Sequence, residues 1–393
     1  MSIVDVISAE LNSLKAIRHD LHRHPELGFE EHRTAAAIAD ELHRLEIPFE
    51  AHIGKTGIVA MIPGRSNRSK RAIGLRADMD ALPLHEANTS AHKSTIPGAM
   101  HACGHDGHVT MLLGAARYLQ RTRQFDGTVY LIFQPGEEGH AGGLAMVKDG
   151  LFDRFPAEQI FALHNWPSLP LGTVSIANGP AMAATDRITV TIHGVGGHGG
   201  VAPHKAVDPI LVAGHVITAL HHIVSRNLDP LDAGVVSLCA ISGGSLDGFA
   251  VIPDEVKIVG TARSLKPEVQ DLLERRVNEV IQGVAQTFGA TATVLYERLF
   301  PATINTPAEA ALATEVAVAL FGRDNVAAHP QPSLGGEDFS FMLRERPGAY
   351  IHLGTGKTGS DPGLHNPKFD FNDDAIPYGA ALLAGIAEKA LPL

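Results

Sequence analysis

The spacing of apolar residues predicts that helices and strands alternate over the first 185 residues. Apolar positions recur every three or four residues between 4 and 21, and again between 35 and 45, which is the periodicity of an amphipathic helix. A further helix is predicted at about 108–119. Short apolar runs bounded by glycine, proline or charge predict buried strands at 58–62, 72–75, 129–133 and 160–163. We therefore expect an α/β domain.

The pattern changes near Asp186, where apolar residues begin to alternate with threonine and histidine. A helix that starts at Pro267 and ends at Gly289 follows the usual preference for proline at helix starts and glycine at helix ends. The predicted order of elements is βαββαβ, the ferredoxin-like arrangement. The predicted strands and the first helix fall at 188–192, 208–225 (the helix), 235–241, 256–263 and 290–296.

After this segment the alternation of helices and strands seen in the first 185 residues resumes. It predicts a helix at 307–321, a strand at 349–353 and a helix at 375–390. We therefore predict that a ferredoxin-like domain is inserted into the α/β domain. The predicted boundaries are 185–297 for the insert, with 1–184 and 298–393 forming the α/β domain.

Composition narrows the classes of protein to consider. The 393 residues are 45% hydrophobic and 19% charged, as in folded globular proteins. The net charge of -11 gives little electrostatic support for a nucleic-acid or anionic-membrane partner, and no apolar run reaches the ~18 residues of a membrane span. The first residues lack the apolar block of a signal peptide, and two cysteines cannot form a disulfide framework. We expect a cytoplasmic protein.

The chain contains 22 histidines but one tryptophan, and metal binding is the first explanation to consider. The densest cluster is the segment 101–108, HACGHDGH, with three histidines and one cysteine in eight residues. The thiol of Cys103 and the imidazole of His105 are suited to zinc-like ions. A nucleophilic cysteine paired with a histidine, a redox cysteine and a simple polar loop are the alternatives.

A second cluster, FQPGEEGH at 133–140, places two adjacent carboxylates in a turn after a buried strand. Ligands of open α/β sheets bind beyond the carboxyl ends of strands. Adjacent side chains diverge, so Glu137 and Glu138 need different roles: one binds metal while the other accepts a proton from water. The alternative is two solvated loop glutamates.

Weaker signals come from single residues. His164 ends an apolar strand, where a histidine is more often a satisfied polar residue than a ligand. Asp78 follows another strand and is either a ligand or a residue that orients one. His365 lies in a turn-rich loop, and His198 stands among five glycines that match no nucleotide-binding fingerprint. Two metal ions that share one ligand would use the whole set: Cys103, His105, Glu138, His164 and His365, with Glu137 left as a base.

Six stretches together resemble the M20 metallopeptidase family, and more closely its amidohydrolase branch. That branch includes hippurate hydrolases, N-acyl-L-amino-acid amidohydrolases and auxin-conjugate hydrolases. The resemblance covers nearly the whole chain in order. The stretches are RADMDALP (76–83), MHACGHDGH (100–108), QPGEEG (134–139), LHNWP (163–167), GGHGGVAPH (196–204) with DPI at 208–210, and GGEDFSF (335–341).

The resemblance implies a catalytic α/β domain with two divalent metal ions and an inserted ferredoxin-like lid that usually forms a homodimer. By position, the family's metal ligands are Cys103, His105, Glu138, His164 and His365, with Cys103 bridging the ions. Glu137 matches the general base and Asp78 an acid that supports a ligand. His198 matches a lid histidine that reaches a partner subunit's active site and steadies the oxyanion, and Arg263 an arginine that holds the substrate carboxylate.

The expected function is hydrolysis of N-acyl or N-aroyl amino acids to a carboxylate and a free amino acid, with manganese or zinc as cofactor. One departure concerns substrate choice, because Ala250 stands where many members carry asparagine. Two alternatives therefore stay open at this stage. One is hydrolysis of another C–N bond, in a small peptide or an aromatic amine conjugate, and the other is a non-catalytic metal-binding protein.

Overall fold

The computed structural model describes residues 1–393, which separate into two units. The first unit consists of Met1–Ala181, Ile304–Gln331 and Asp338–Leu393, and the second of Met182–Thr303 and Pro332–Glu337. None of the helices combines the length and apolar character needed to cross a bilayer.

The first unit contains most of the helices and one large sheet. Its strands are β1 (Phe49–Ile53), β2 (Gly57–Pro63), β3 (Ala72–Asp78), β4 (Thr128–Gln134), β5 (Gln159–Pro170), β6 (Val174–Ser175) and β15 (Gly348–Gly356). Its helices are α1 (Ile3–Ser8), α2 (Leu11–Arg23), α3 (His32–Arg44), α4 (His105–Thr122), α5 (Glu137–His140), α6 (Gly142–Lys148), α7 (Leu151–Arg154), α10 (Pro307–Phe321), α11 (Phe339–Glu345) and α12 (Ile376–Ala390).

The second unit is smaller and combines strands with two long helices. Its strands are β8 (Ala184–His193), β9 (Gly197–His198), β10 (Gly234–Gly243), β11 (Val251–Ile252), β12 (Glu255–Ser264) and β13 (Thr291–Phe300), and its long helices are α8 (Pro209–Arg226) and α9 (Pro267–Thr287). The chain passes between the units within two short strands, β7 (Pro180–Met182) and β14 (Thr303–Ile304), and again on either side of Pro332–Glu337.

The sheet of the first unit has the order β1-β2-β4-β3-β5-β15-β6. The four central strands β4, β3, β5 and β15 run parallel, so their carboxyl ends lie along one edge. Every residue of β3 is buried, as expected where helices cover both faces of a parallel sheet. Apolar residues of β3, α4 and α12 share one core. The predicted α/β sheet flanked by helices is therefore confirmed.

The four-stranded sheet of the second unit is antiparallel and has the order β10-β12-β8-β13. Numbered from the start of this unit, the four strands stand in the order 2-3-1-4, which is the ferredoxin-like topology predicted from the sequence. Residues of β12 are alternately buried and more exposed. The buried set packs with α8 and α9 in a separate core.

Three local predictions need correction. The single helix predicted over 4–21 is two helices, because α1 ends at Ser8 and Glu10 has φ -101° and ψ 4° before α2. The apolar spacing hid this break, since both helices bury residues in the same core. The strand predicted to end near Leu163 continues to Pro170, so His164 lies inside β5. The helix predicted from His108 begins at His105.

Candidate metal centre

The carboxyl ends of β3, β4 and β5 bring together residues that are distant in the sequence. Cys103 lies in the loop before α4, and His105 is the first residue of that helix. Gly104 between them has φ +95°, and a Cβ there would lie 2.4 Å from Oδ1 of Asn165. Only glycine therefore fits this close turn, which directs the thiol and the imidazole towards β5.

Three donor atoms converge at the first group of side chains. The ligand atoms of Cys103, His105 and His164 all lie within 4.8 Å of one another, and Cys103 Sγ is 3.4 Å from His164 Nε2. His164 Nδ1 donates to the carbonyl oxygen of Asn165 at 2.8 Å, which leaves Nε2 with its lone pair. Nε2 of His105 is buried and makes no hydrogen bond.

A second group shares the same thiol. The ligand atoms of Cys103, Glu138 and His365 also lie within 4.8 Å of one another, and His365 Nε2 is 3.1 Å from Glu138 Oε1. The backbone N–H of His365 donates to the carbonyl oxygen of Ala102 at 2.8 Å, which ties the 363–367 loop to the cysteine loop. Contact with Glu138 raises the pKa of His365. Two sets of donors thus meet at Cys103.

The adjacent glutamates occupy a turn that begins after β4. Within α5, Glu138 (φ -71°, ψ 75°) and Gly139 (φ 80°, ψ 2°) depart from helical geometry, so this element is an irregular turn rather than a regular helix. Glu137 is buried, and its carboxylate, Glu138 and His105 have ligand atoms within 4.8 Å of one another. The sequence prediction of a strand followed by a carboxylate-bearing turn is confirmed.

The electrostatics of this cluster favour a cation. Burial opposes protonation of His105, but the carboxylates of Asp78 and Asp80 outweigh it and raise the pKa of His105 to about 10. Burial, followed by the carboxylates of Glu138 and Glu137, holds the pKa of the Cys103 thiol well above its usual range. A divalent cation would take the place of the His105 proton among these carboxylates and supply the positive charge that an ionised Cys103 thiol needs. Thiolate, imidazole and carboxylate donors suit zinc-like ions, so the residues present fit a metal pair.

Two aspartates next to the donors have different partners. Asp80 Oδ1 is 3.2 Å from His105 Nδ1, and Asp80 Oδ2 accepts the backbone N–H of Glu138 at 2.9 Å. Asp78 Oδ1 is 2.5 Å from His108 Nδ1, and its Oδ2 accepts from Arg76 at 2.7 Å. Asp78 Oδ2 is also 3.7 Å from His105 Nε2. Asp80 is therefore the acid at hydrogen-bond distance from His105.

The sequence interpretation quoted Asp80 within RADMDALP but gave it no role. It also missed Glu31, whose carboxylate accepts the backbone N–H of Gly136 at 2.8 Å. The one signal in the sequence that could have indicated a role for Asp80 is its place two residues after Asp78. Nothing in the sequence links Glu31 to the glutamate turn.

His198 and Arg263 belong to the second unit. His198 is exposed on β9, and its Nδ1 accepts the backbone N–H groups of Gly200 at 3.1 Å and Val201 at 3.2 Å. Its ring proton is therefore on Nε2. Arg263 is half-buried on β12, where it donates to Thr261 Oγ1 and, at 3.1 Å, to the carbonyl oxygen of Ala262. Burial lowers its pKa.

Comparison with known proteins finds similar sequences and structures over nearly the whole chain. The family model described as Peptidase family M20/M25/M40 matches residues 74–389. A hippurate hydrolase of Campylobacter jejuni is 39% identical over 391 residues, which is 100% of both chains. IAA-amino acid hydrolase ILR1-like 5 of Arabidopsis thaliana is 39% identical over 95% of this chain and 86% of its own. A dinuclear metal-binding M20 peptidase of Bacillus subtilis has a similar structure, with TM-score 0.84, 33% identity and coverage of 98% of this chain and 99% of that one.

Proposed function

Since the chain belongs to peptidase family M20/M25/M40, we propose that it is a metal-dependent amidohydrolase that cleaves N-acyl or N-aroyl amino acids to a carboxylate and a free amino acid. The observation that carries this proposal is the convergence of two donor groups at the Cys103 thiol, with the Glu137 carboxylate beside them. Relatives named for the hydrolysis of hippurate and of IAA–amino acid conjugates support the substrate class.

Five side chains would hold two divalent ions. In this assignment His105 and His164 would hold one ion, Glu138 and His365 would hold the other, and the Cys103 thiol, which belongs to both groups, would contribute to each. Ions bound there would lower the pKa of a water molecule towards neutrality and polarise the scissile carbonyl. The donors do not choose between manganese and zinc, because thiolate favours zinc while imidazole and carboxylate suit both.

Glu137 is the proposed general base. It takes a proton from the water that attacks the carbonyl carbon, and it gives that proton to the amine nitrogen as the C–N bond breaks. Its burial beside the donors suits this role, since a base must lie within hydrogen-bond reach of the water it deprotonates.

His198 and Arg263 are the proposed substrate contacts from the second unit. The Nε2–H of His198 would donate to the oxyanion that forms at the carbonyl, an interaction whose loss typically costs about 10²–10³ in rate. The planar guanidinium of Arg263 would pair with the α-carboxylate of the amino acid. As the resemblance implies, we propose that His198 acts on the site of a second copy of this chain.

The proposed homodimer has a physical basis in the second unit. Its strand β10 is at the edge of the sheet, and Ile241 on that strand is 56% exposed. In the following loop the side chains of Leu246 and Phe249 are almost fully exposed. An apolar strand edge beside exposed apolar side chains is typical of an association surface. We also propose a cytoplasmic location, because both cysteines are free.

The test is a hydrolysis screen on protein loaded with Mn²⁺ or Zn²⁺. N-benzoyl, N-acetyl and indole-acetyl amino acids are the substrates, and release of the free amino acid is the readout. We expect two ions per chain and turnover of at least one substrate. Glu137→Gln should keep both ions and lose activity by on the order of 10³-fold or more, because proton transfer is removed.

Two results would contradict the proposal. Loaded protein that binds two ions but hydrolyses no member of the panel, nor small peptides or aromatic amine conjugates, would indicate a metal-binding protein. A Glu137→Gln variant with most of the activity would remove Glu137 as the base while leaving the metal assignment intact.

A further inference from the structure

Glu31 connects the start of α3 with the turn that bears the two adjacent glutamates. Its side chain is fully buried. Oε2 accepts from the hydroxyl of Thr56 at 2.5 Å, in the turn between β1 and β2, and Oε1 accepts the backbone N–H of Gly136 at 2.8 Å. Both oxygens of the carboxylate are therefore held, and one of them is held against the residue immediately before Glu137.

The turn around Glu137 is fixed from both sides. Gly136 has φ +56°, and its carbonyl oxygen accepts the N–H of Gly142 at 2.9 Å. On the other side, the N–H of Glu138 donates to Asp80 Oδ2 at 2.9 Å. The amides of residues 136 and 138 thus each donate to a buried carboxylate. Because these amides flank Glu137, the two carboxylates set the direction in which its side chain leaves the backbone.

The burial of Glu31 at the start of α3 lowers the stability of the folded protein. Its partners Thr56 and Gly136 are neutral, and a buried carboxylate with neutral partners costs folding free energy. Burial accordingly raises the pKa of Glu31. The side chain of Glu31 accepts no N–H group of α3; Glu26 does so instead, from Arg33 at 2.9 Å and Thr34 at 2.8 Å. Glu31 instead bonds to Thr56 and to the glutamate turn, and only its bond to Gly136 reaches the backbone beside Glu137.

We propose that Glu31 is a positioning residue that holds Glu137 in the geometry needed for proton transfer. This inference rests on the proposed function, because it takes Glu137 as the general base. Glu31 acts through the Gly136 backbone and touches no substrate. A displacement of about 1 Å at a reacting group can cost on the order of 10²-fold in rate. Loss of the hydrogen bond between Glu31 and Gly136 should therefore lower kcat.

The kinetic experiment compares three variants of the metal-loaded protein. Glu31→Ala removes the acceptor, and Glu31→Gln keeps an oxygen for Gly136. Glu26→Ala is the matched control, since it removes the acceptor at the same helix end that does not reach the turn. We expect Glu31→Ala to lower kcat by on the order of 10²-fold with KM changed by about twofold or less and both ions retained. Glu31→Gln and Glu26→Ala should keep kcat within about threefold of the native value.

A second readout does not depend on activity. Hydrogen exchange at the Gly136 amide is followed in the metal-free protein by mass spectrometry of peptides spanning 131–142. The amide should exchange at least about tenfold faster in Glu31→Ala, because its acceptor is gone. It should stay protected in Glu31→Gln and Glu26→Ala. If Glu31→Ala fails to fold, Glu31→Asp retracts the carboxylate from Gly136 and should show the same loss of kcat and protection.

Three results would overturn the proposal. The first is native kcat in Glu31→Ala, or in Glu31→Asp where that variant replaces it. The second is an equal loss in Glu31→Ala and Glu26→Ala, which would indicate general destabilisation. The third is unchanged exchange at Gly136. Failure of the native loaded protein to hydrolyse any substrate would instead refute the proposed function, and the exchange measurement would still decide whether Glu31 holds the turn.

Discussion

At the scale of single residues, the donor atoms are prepared by the partners of the atoms next to them. Nδ1 of His164 donates to the carbonyl oxygen of Asn165, so that Nε2 is the unprotonated nitrogen and faces Cys103 Sγ. Asp80 does the same for His105, whose Nδ1 lies 3.2 Å from its carboxylate while Nε2 stays without a hydrogen bond. A histidine held in this way presents one tautomer in one orientation, which increases its affinity for a metal ion.

Replacing Asp80 tests this preparation. Asp80→Asn removes the charge beside His105 and places an amide group against the N–H of Glu138, so the ligands of both proposed ions are disturbed. We expect metal affinity to fall by about 10–100-fold, measured by titration against a competing chelator. Asp153→Asn, at an exposed position of the first unit, should leave affinity unchanged. Equal affinities for native protein and Asp80→Asn would show that Asp80 does not orient the ligands.

The sequence could indicate the donors but not their supports. Cys103 and His105 stand out because soft ligands are dense in one octapeptide, and Glu137 and Glu138 because two acids follow a buried strand. Glu31 carries no such signal. Its contact with Gly136 joins residues 105 positions apart, and it depends on where α3 begins relative to the end of β4, which is a property of tertiary packing.

At the scale of secondary-structure elements, a buried aspartate joins three elements of the second unit. Asp186 lies on β8, accepts from Gln270 of α9 at 2.7 Å and accepts from the hydroxyl of Tyr296 of β13 at 2.6 Å. Burial raises the pKa of Asp186, although the two hydrogen bonds oppose the rise. The folded protein therefore favours the protonated acid more than the unfolded chain does.

This shift predicts a pH dependence of stability. The contribution of Asp186 is fully present below the ordinary pKa of 3.8 and is lost as pH rises through the higher folded value. Relative to Asp186→Asn, the native protein should lose unfolding free energy as pH rises above 3.8, by about 1.4 kcal/mol for each tenfold change in the acid constant. Urea unfolding of metal-free protein measures the difference.

The control for this prediction is Asp247→Asn in the same unit, at an exposed position. Its unfolding free energy should follow the native pH profile. A constant difference between native protein and Asp186→Asn across the pH range would show that the carboxyl group titrates alike in the folded and unfolded states.

Periodicity predicted long elements well and short ones poorly. The helix at 307–321 agrees with α10, because proline at its start and Gly322 at its end give clear signals. The strand β1 was missed, since three of its five residues are exposed and no apolar run marks them. The two-residue strands β9 and β11 pair only with each other, and pairing of that kind leaves no pattern in the sequence.

At the scale of the whole molecule, the spacing of apolar residues changes near Asp186 because the two units bury their sheets in different ways. In the first unit β3 is buried throughout, so its sequence is continuously apolar before Arg76. In the second unit β8 and β12 bury alternate residues against α8 and α9. Strand patterning thus revealed the two sheets, whereas the proposed surface between two copies of the chain has no comparable signature in the sequence.

The exposed apolar edge of the second unit predicts that the protein is a dimer whose assembly affects catalysis. The native chain should sediment at twice its mass of 41.7 kDa. Ile241→Lys places a charge on the β10 edge, where it would be desolvated on pairing, and should weaken association by at least about tenfold. Met61→Lys, at a partly exposed apolar position of the first unit, is the matched control.

If His198 serves the site of a second copy, the monomeric Ile241→Lys variant should retain both metal ions yet lose on the order of 10²-fold in kcat. A native protein that sediments at 41.7 kDa with full activity would contradict both the dimer and the contribution of His198 across it.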